Sequence, residues 1–192
     1  MSTTPTGTNP TFDIGHIERC LAAYGIGGNF GVCNFNGEAA KALFGRYTIR
    51  ADSGIVDMSC STVLSTSQVG GDRLGIQFGR IYGSFDFGTN PTITSLQGVP
   101  LILMGDLNCG ETGINNFSGV DKLIQSLHGT ISVRGDSTHL LGLLLIPGIR
   151  RINIYDHGCA TEHILNKYLK IKDILAAQDE LIDAGFVEQA RL

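Results

Sequence analysis

Two short clusters in this chain hold residue types that ligate metals or move protons. Asp156, His157, Cys159 and His163 fall within one eight-residue stretch. Zinc takes Cys and His at such spacings, but a structural site needs four ligands, and no second Cys/His group lies near in sequence. The stretch therefore reads as a loop running into a helix, and no metal site is expected. Asp136-Ser137-Thr138-His139 sets a hydroxyl beside a base. Adjacent residues on a turn point apart, however, and Asp, Ser and Thr in such runs hydrogen-bond within the turn itself. Gly70, Gly71 and Gly75 lack the Lys-Ser/Thr pair that completes a phosphate-binding loop. The G-x-S-x-G, H-E-x-x-H and EF-hand patterns do not occur. The expectation is a protein with no catalytic residues and no cofactor.

Composition narrows the partners. The 192 residues are 42% hydrophobic and 17% charged, which excludes disorder for most of the chain. A net charge of −4 argues against nucleic acid, whose binding needs a basic face. The longest apolar run, Leu140 to Ile149, is ten residues, half of the roughly 20 that cross a bilayer. The five cysteines, Cys20, Cys33, Cys60, Cys109 and Cys159, are odd in number, form no CxxC pair and follow no secretory leader. They read as reduced thiols of a cytoplasmic protein, used mainly as small buried hydrophobes.

The elements that position these residues repeat. Four Φ-x-Φ pairs, Phe85/Phe87, Leu107/Cys109, Ile131/Val133 and Ile152/Ile154, follow one another at steps of 22, 24 and 21 residues. Three are preceded by a hydrophobe two residues before a Gly: Ile81-Tyr82-Gly83, Leu103-Met104-Gly105 and Leu127-His128-Gly129. The returning segments echo as well, in Leu96-Gln97-Gly98-Val99, Phe117-Ser118-Gly119-Val120 and Ile146-Pro147-Gly148-Ile149. Val56/Met58 reads as a strand leading into the series. A unit this short cannot bury its own apolar face, so the units must stack as coils of a parallel ladder. βαβ units are longer and carry a visible helix between their strands. Both Φ residues of each pair then point inward, Cys109 among them as an inert thiol, and the residues between them point outward.

Helical periodicity flanks the repeats. Ile14, Ile17 and Leu21, with Asp13 as N-cap and Gly25 as stop, predict a helix over 14–24. Ile164, Leu165, Tyr168 and Leu169 predict a second. Ile174, Leu175, Leu181, Ile182 and Phe186, opened by Asp173, predict a third. Between them, 30–34, 47–49 and 55–58 read as strands and 38–44 as a helical turn. The predicted fold is α+β, a short right-handed parallel β solenoid with N- and C-terminal helical caps. It divides into a flexible arm (1–11), an N-terminal helix with capping strands (12–60), the solenoid (61–155) and a C-terminal helical cap (156–192).

With the repeat in view, the chain resembles a family of phage-encoded leucine-rich-repeat-like proteins, whose members read FGxVxGxFxC followed by LTSLEGxPxxVGGDFxC. The likeness is carried by Gln77 to Phe87 (QFGRIYGSFDF), Ile93 to Pro100 (ITSLQGVP) and Met104 to Cys109 (MGDLNC). At the ends it is carried by Ile17 to Ile26, Leu141 to Ile149 and Gln178 to Phe186. Residues 30–50 carry no part of it, and the later coils depart from the pattern. The resemblance implies a leucine-rich-repeat-like fold and a phage origin, and it assigns no site.

Function is then expected on the outward face of the ladder. Alternation puts Asp86, Asp106, Asn108, Ser132, Arg134, Arg151, Asn153 and Tyr155 there, with Ser84 and Thr130 beside them. Asp86, Asn108, Ser132 and Asn153 should form one polar column. Arg134 and Arg151, on neighbouring rungs, should grip an acidic side chain together in fork geometry. The expected role is a phage accessory protein that binds a host or phage protein in the host cytoplasm and blocks a host factor or defence. A virion or assembly component and an enzyme of unrecognised type are the alternatives. Neither nucleic acid nor membrane is expected as a partner.

Overall fold

The computed structural model describes residues 12–26, 47–50, 52–64, 71–155 and 159–192. The expected arm (1–11), the strand at 30–34, the helical turn at 38–44, and Cys33, Gly70, Asp156 and His157 lie outside these residues, as does the Cys159 side chain. The described elements are α1 (Ile14–Ala23), β1 (Tyr47–Ile49), β2 (Val56–Met58), β3 (Thr62–Val63), β4 (Phe78–Ile81), β5 (Phe85–Asp86), β6 (Ile102–Leu103) and β7 (Leu107–Asn108). There follow α2 (Val120–Leu123), β8 (Ser126–Leu127), β9 (Thr130–Arg134), α3 (Gly142–Leu145), β10 (Arg151–Tyr155), α4 (Cys159–Tyr168) and α5 (Ile174–Asp183).

The chain winds as a parallel β solenoid of about four turns with helices at its ends. Each coil supplies a strand to two sheets. The first sheet runs β1-β2-β4-β6-β8 and the second β3-β5-β7-β9-β10. All neighbours are parallel except β1, which lies antiparallel to β2. Phe85, Leu107, Ile131 and Ile152 stack in register, as the Φ-x-Φ spacing requires. Each is no more than 1% exposed, which places that column in the core.

The second ladder corrects the sequence reading in two places. The hydrophobe that opens each hydrophobe-x-Gly segment is the last residue of a strand of the first sheet, Ile81 of β4, Leu103 of β6 and Leu127 of β8. Val56/Met58 opposes Phe78 and Ile81 rather than heading the Φ-x-Φ series. The rung before Phe85 is Thr62-Val63, with Thr62 inward and only 4% exposed. A search for paired hydrophobes passes over it because Thr62 is polar.

Glycine makes the corner between the sheets. A Cβ on Gly105 would stand 2.6 Å from the Gly83 carbonyl carbon, and one on Gly129 would stand 2.4 Å from the Gly105 oxygen. Only a bare backbone allows the coils to approach this closely. The following residue then ties each coil to the last. Ser84 N–H donates to Ser61 Oγ (3.0 Å), Asp106 N–H to Ser84 Oγ (3.0 Å) and Thr130 N–H to Asp106 Oδ1 (2.7 Å). At the opposite corner Gly98, Gly119 and Gly148 hold φ of 88°, 70° and 83°, left-handed values that favour Gly.

Both ends of the stack are covered. At one end α1 buries Ile17 and Leu21, and the buried Tyr24 that follows it accepts at its hydroxyl from Gly75 N–H at 2.7 Å. The Asp13 side chain makes no cap bond and pairs with Arg19 instead. At the other end α4 covers the free edge of β10 with side chains that imitate another strand. Asn166 accepts from Ile152 N–H (2.9 Å) and donates to Ile152 O (2.7 Å), while Glu162 accepts from Ile154 N–H (2.9 Å). Asp173 caps α5 by accepting from Ala176 N–H at 3.0 Å, as predicted.

Two stability measurements check this architecture. Leu107→Ala should cost about 2–5 kcal/mol in chemical denaturation, and a loss under about half a kcal/mol would mean that Leu107 is not stacked. Asn166→Leu keeps the side-chain bulk but orphans the buried Ile152 backbone, and should cost about 1–3 kcal/mol. An unchanged midpoint would remove Asn166 from the edge-capping role.

Candidate functional site

The outward face of the second sheet forms a groove of about 470 Å³. It is lined by Ser84, Asp86, Asp106, Asn108, Thr130, Ser132, Arg151, Asn153 and Tyr155, with Phe85 at its floor. Seven of the eight residues expected on the binding face are therefore brought together. The predicted polar column is formed, with Asp86 opposite Asn108, Asn108 opposite Ser132 and Ser132 opposite Asn153.

Two of these positions also end their strands. Asp86 Oδ1 accepts from Gly88 N–H (2.9 Å), and Asn108 Oδ1 accepts from Gly110 N–H (3.1 Å). The two side chains thus close the same Asx turn on consecutive rungs, one with a carboxylate and one with an amide. Ser84 and Asp106 belong to the corner ties already described. The face is consequently held in place by its own side chains rather than merely decorated with them.

Charge is unevenly placed. Asp86 and Asp106 stand two residues and one rung apart, about 8 Å from the strand rise and the rung spacing. Among the described residues neither has an ion-pair partner. Arg151 and Tyr155 occupy the far rung.

The arginine fork is not formed. Arg151 lies opposite Thr130 and Arg134 opposite Tyr155, so the two are four residues apart along the strand direction, about 13 Å at about 3.3 Å per residue. Arg134 makes a bidentate pair with Asp136 (2.8 and 2.9 Å) and donates to Thr112 O (3.2 Å), outside the groove lining. Arg151 pairs with Glu162 at 3.3 Å. Strand alternation placed both arginines on the outward face, but it carries no information on which carboxylate a long side chain will reach.

Tyr155 gains a setting that the sequence reading missed. Its ring lies over Gly110, where an added Cβ would stand 2.0 Å from ring carbons. The ring therefore reaches back from the last rung to the end of β7 and walls the groove. The signal was the Gly that follows two of the Φ-x-Φ pairs, Gly88 and Gly110. Asn108 fills the same space over Gly88.

The Asp136 to His139 run and Cys109 are taken up by the fold. Ser137 is fully buried, Asp136 is held by Arg134, and Thr138 donates to Asn115 O at 3.0 Å. His139 Nδ1 lies 3.1 Å from Thr138 Oγ1, but the Thr138 proton is directed to Asn115 O rather than to the ring. Cys109 is buried, donates to Ser132 O at 3.0 Å, and burial pushes its thiol up to about 12. A thiol so hard to ionise is a poor nucleophile.

The Tyr155–Gly110 contact can be measured by a double-mutant cycle with Gly110→Ala and Tyr155→Ala. Gly110→Ala alone should cost about 1–3 kcal/mol through overpacking. In the Tyr155→Ala background that cost should shrink by at least about half a kcal/mol, since residues in contact couple. Additive costs would place the ring elsewhere. Compared with protein-family models, curated proteins and solved structures, the chain matches none.

Proposed function

We propose that this protein acts without catalysis, by taking a basic segment of a partner protein into the groove of the second sheet. The observation that carries the reading is the groove itself, whose polar side chains come from successive rungs and whose early rungs present Asp86 and Asp106 without ion-pair partners among the described residues. Each carboxylate is oriented by one backbone N–H, so a Lys or Arg side chain meets acceptors already in place. Tyr155 supplies an aromatic wall, a residue type that dominates interface energies when buried by a partner. Extended sheet faces of stacked repeats are common protein-binding surfaces. The resemblance to phage-encoded leucine-rich-repeat-like proteins extends the proposal to a phage accessory protein working in the host cytoplasm on a host factor or defence component.

The test uses a pair of near-isosteric changes. Asn108 already closes an Asx turn with an amide, so Asp86→Asn should keep its turn, and Asp106→Asn keeps an acceptor for Thr130 N–H. The double variant Asp86→Asn/Asp106→Asn should melt within about 1 kcal/mol of the wild type, since each change keeps the side-chain shape and the accepting oxygen. In affinity capture from infected-cell lysate, read by mass spectrometry, it should lose the partner that the wild type retains. Equal capture by a stably folded double variant would refute the groove as the basic-segment site.

A further inference from the structure

A second concavity lies at the C-terminal end of the stack, between the start of β10 and α4. It is an open cleft of about 500 Å³ lined by Arg150, Arg151, Glu162, His163 and Asn166. Two of these are already committed. Asn166 spends its amide on Ile152 N–H, Ile152 O and Glu162 O. Glu162 spends one oxygen on Ile154 N–H and the other on Arg151 at 3.3 Å.

The polar side chains left uncommitted at the cleft are mainly donors. Among the described residues Arg150 and His163 have neither an ion-pair nor a side-chain hydrogen-bond partner, and both are exposed. Arg151 uses one Nη on Glu162, and a guanidinium carries five N–H groups in all. Two arginines and a histidine thus line one cavity whose single carboxylate among the described residues is engaged on both oxygens. Glu180 lies within electrostatic reach of His163 but is engaged by Lys167 and Tyr168, so in a chain of net charge −4 the described residues here form a local positive site.

We propose that this cleft binds a small phosphate monoester, its phosphoryl group held by Arg150, Arg151 and His163. A carboxylate is satisfied by one guanidinium fork, whereas a phosphoryl group offers three oxygens and up to two charges, which matches donors on three side chains. The volume exceeds what a bare phosphate fills and falls within the roughly 300–1,000 Å³ of small-molecule pockets, leaving room for the organic body of the ester. Only Arg151 lines both this cleft and the groove, so the proposal stands apart from the protein-binding reading.

The experiment is an NMR titration of the ¹⁵N-labelled full chain with adenosine monophosphate and with inorganic phosphate, against acetate at matched ionic strength and pH. Adenosine monophosphate should bind saturably, more tightly than phosphate, and shift the Arg150 and Arg151 Nε–H signals and the His163 ring. Arg150→Ala should weaken it at least tenfold with the backbone spectrum otherwise preserved, and Arg150→Lys should fall between the two because it keeps charge but loses the fork. His163→Ala, a solvent-facing change, provides a second weakened variant should Arg150→Ala perturb the fold. Shifts that acetate reproduces, signals that move away from the cleft, or equal affinity in wild type and Arg150→Ala would each overturn the proposal.

Discussion

The close approach of successive coils at the glycine corner is the constraint on which the other features depend. Gly105 against Gly83, and Gly129 against Gly105, leave no room for a side chain. Because the corner is bare, both sheets continue from one coil to the next at hydrogen-bonding distance. The described strands are two to five residues long, too short to specify register by their own bonds. Register comes instead from the stacked corner and from the side-chain ties running from Ser61 through Ser84 and Asp106 to Thr130.

From that corner the core follows. With the coils locked in step, one inward position per rung becomes a continuous column, and Phe78, Phe85 and Phe87 pack ring to ring with centroids 4.9 and 5.5 Å apart. Parallel stacking also creates a problem at its ends, where unpaired backbone invites another chain. This protein answers it with chemistry as well as bulk, since Asn166 and Glu162 supply the donor and acceptors that a further strand would have offered.

The same regularity makes the face useful. Once rungs repeat in step, an outward residue on one rung is set beside its counterparts, and small differences between rungs become a pattern of charge across a groove. Asp86 and Asn108 close identical turns, yet only one carries charge. Fold and surface chemistry are therefore separable at that position, although Ser84 and Asp106 serve both.

The sequence by itself determined the period, the inward columns, the polar column on the outer face and the helices at both ends. Each of these depends on residue type at a fixed spacing, which is a local property. It did not show that each coil carries two strands, because the leads into Gly83, Gly105 and Gly129 are as short as the strands they were thought to introduce. Nor did it find Thr62 as the first inward rung, since tertiary stacking buries that residue despite its hydroxyl. The destinations of long side chains were settled only in three dimensions. Arg134 turns to Asp136, Arg151 to Glu162 across eleven residues, and the Tyr155 ring to Gly110. Alternation along a strand says which face a residue leaves from, but reach, competing carboxylates and the empty space above a glycine decide where it ends.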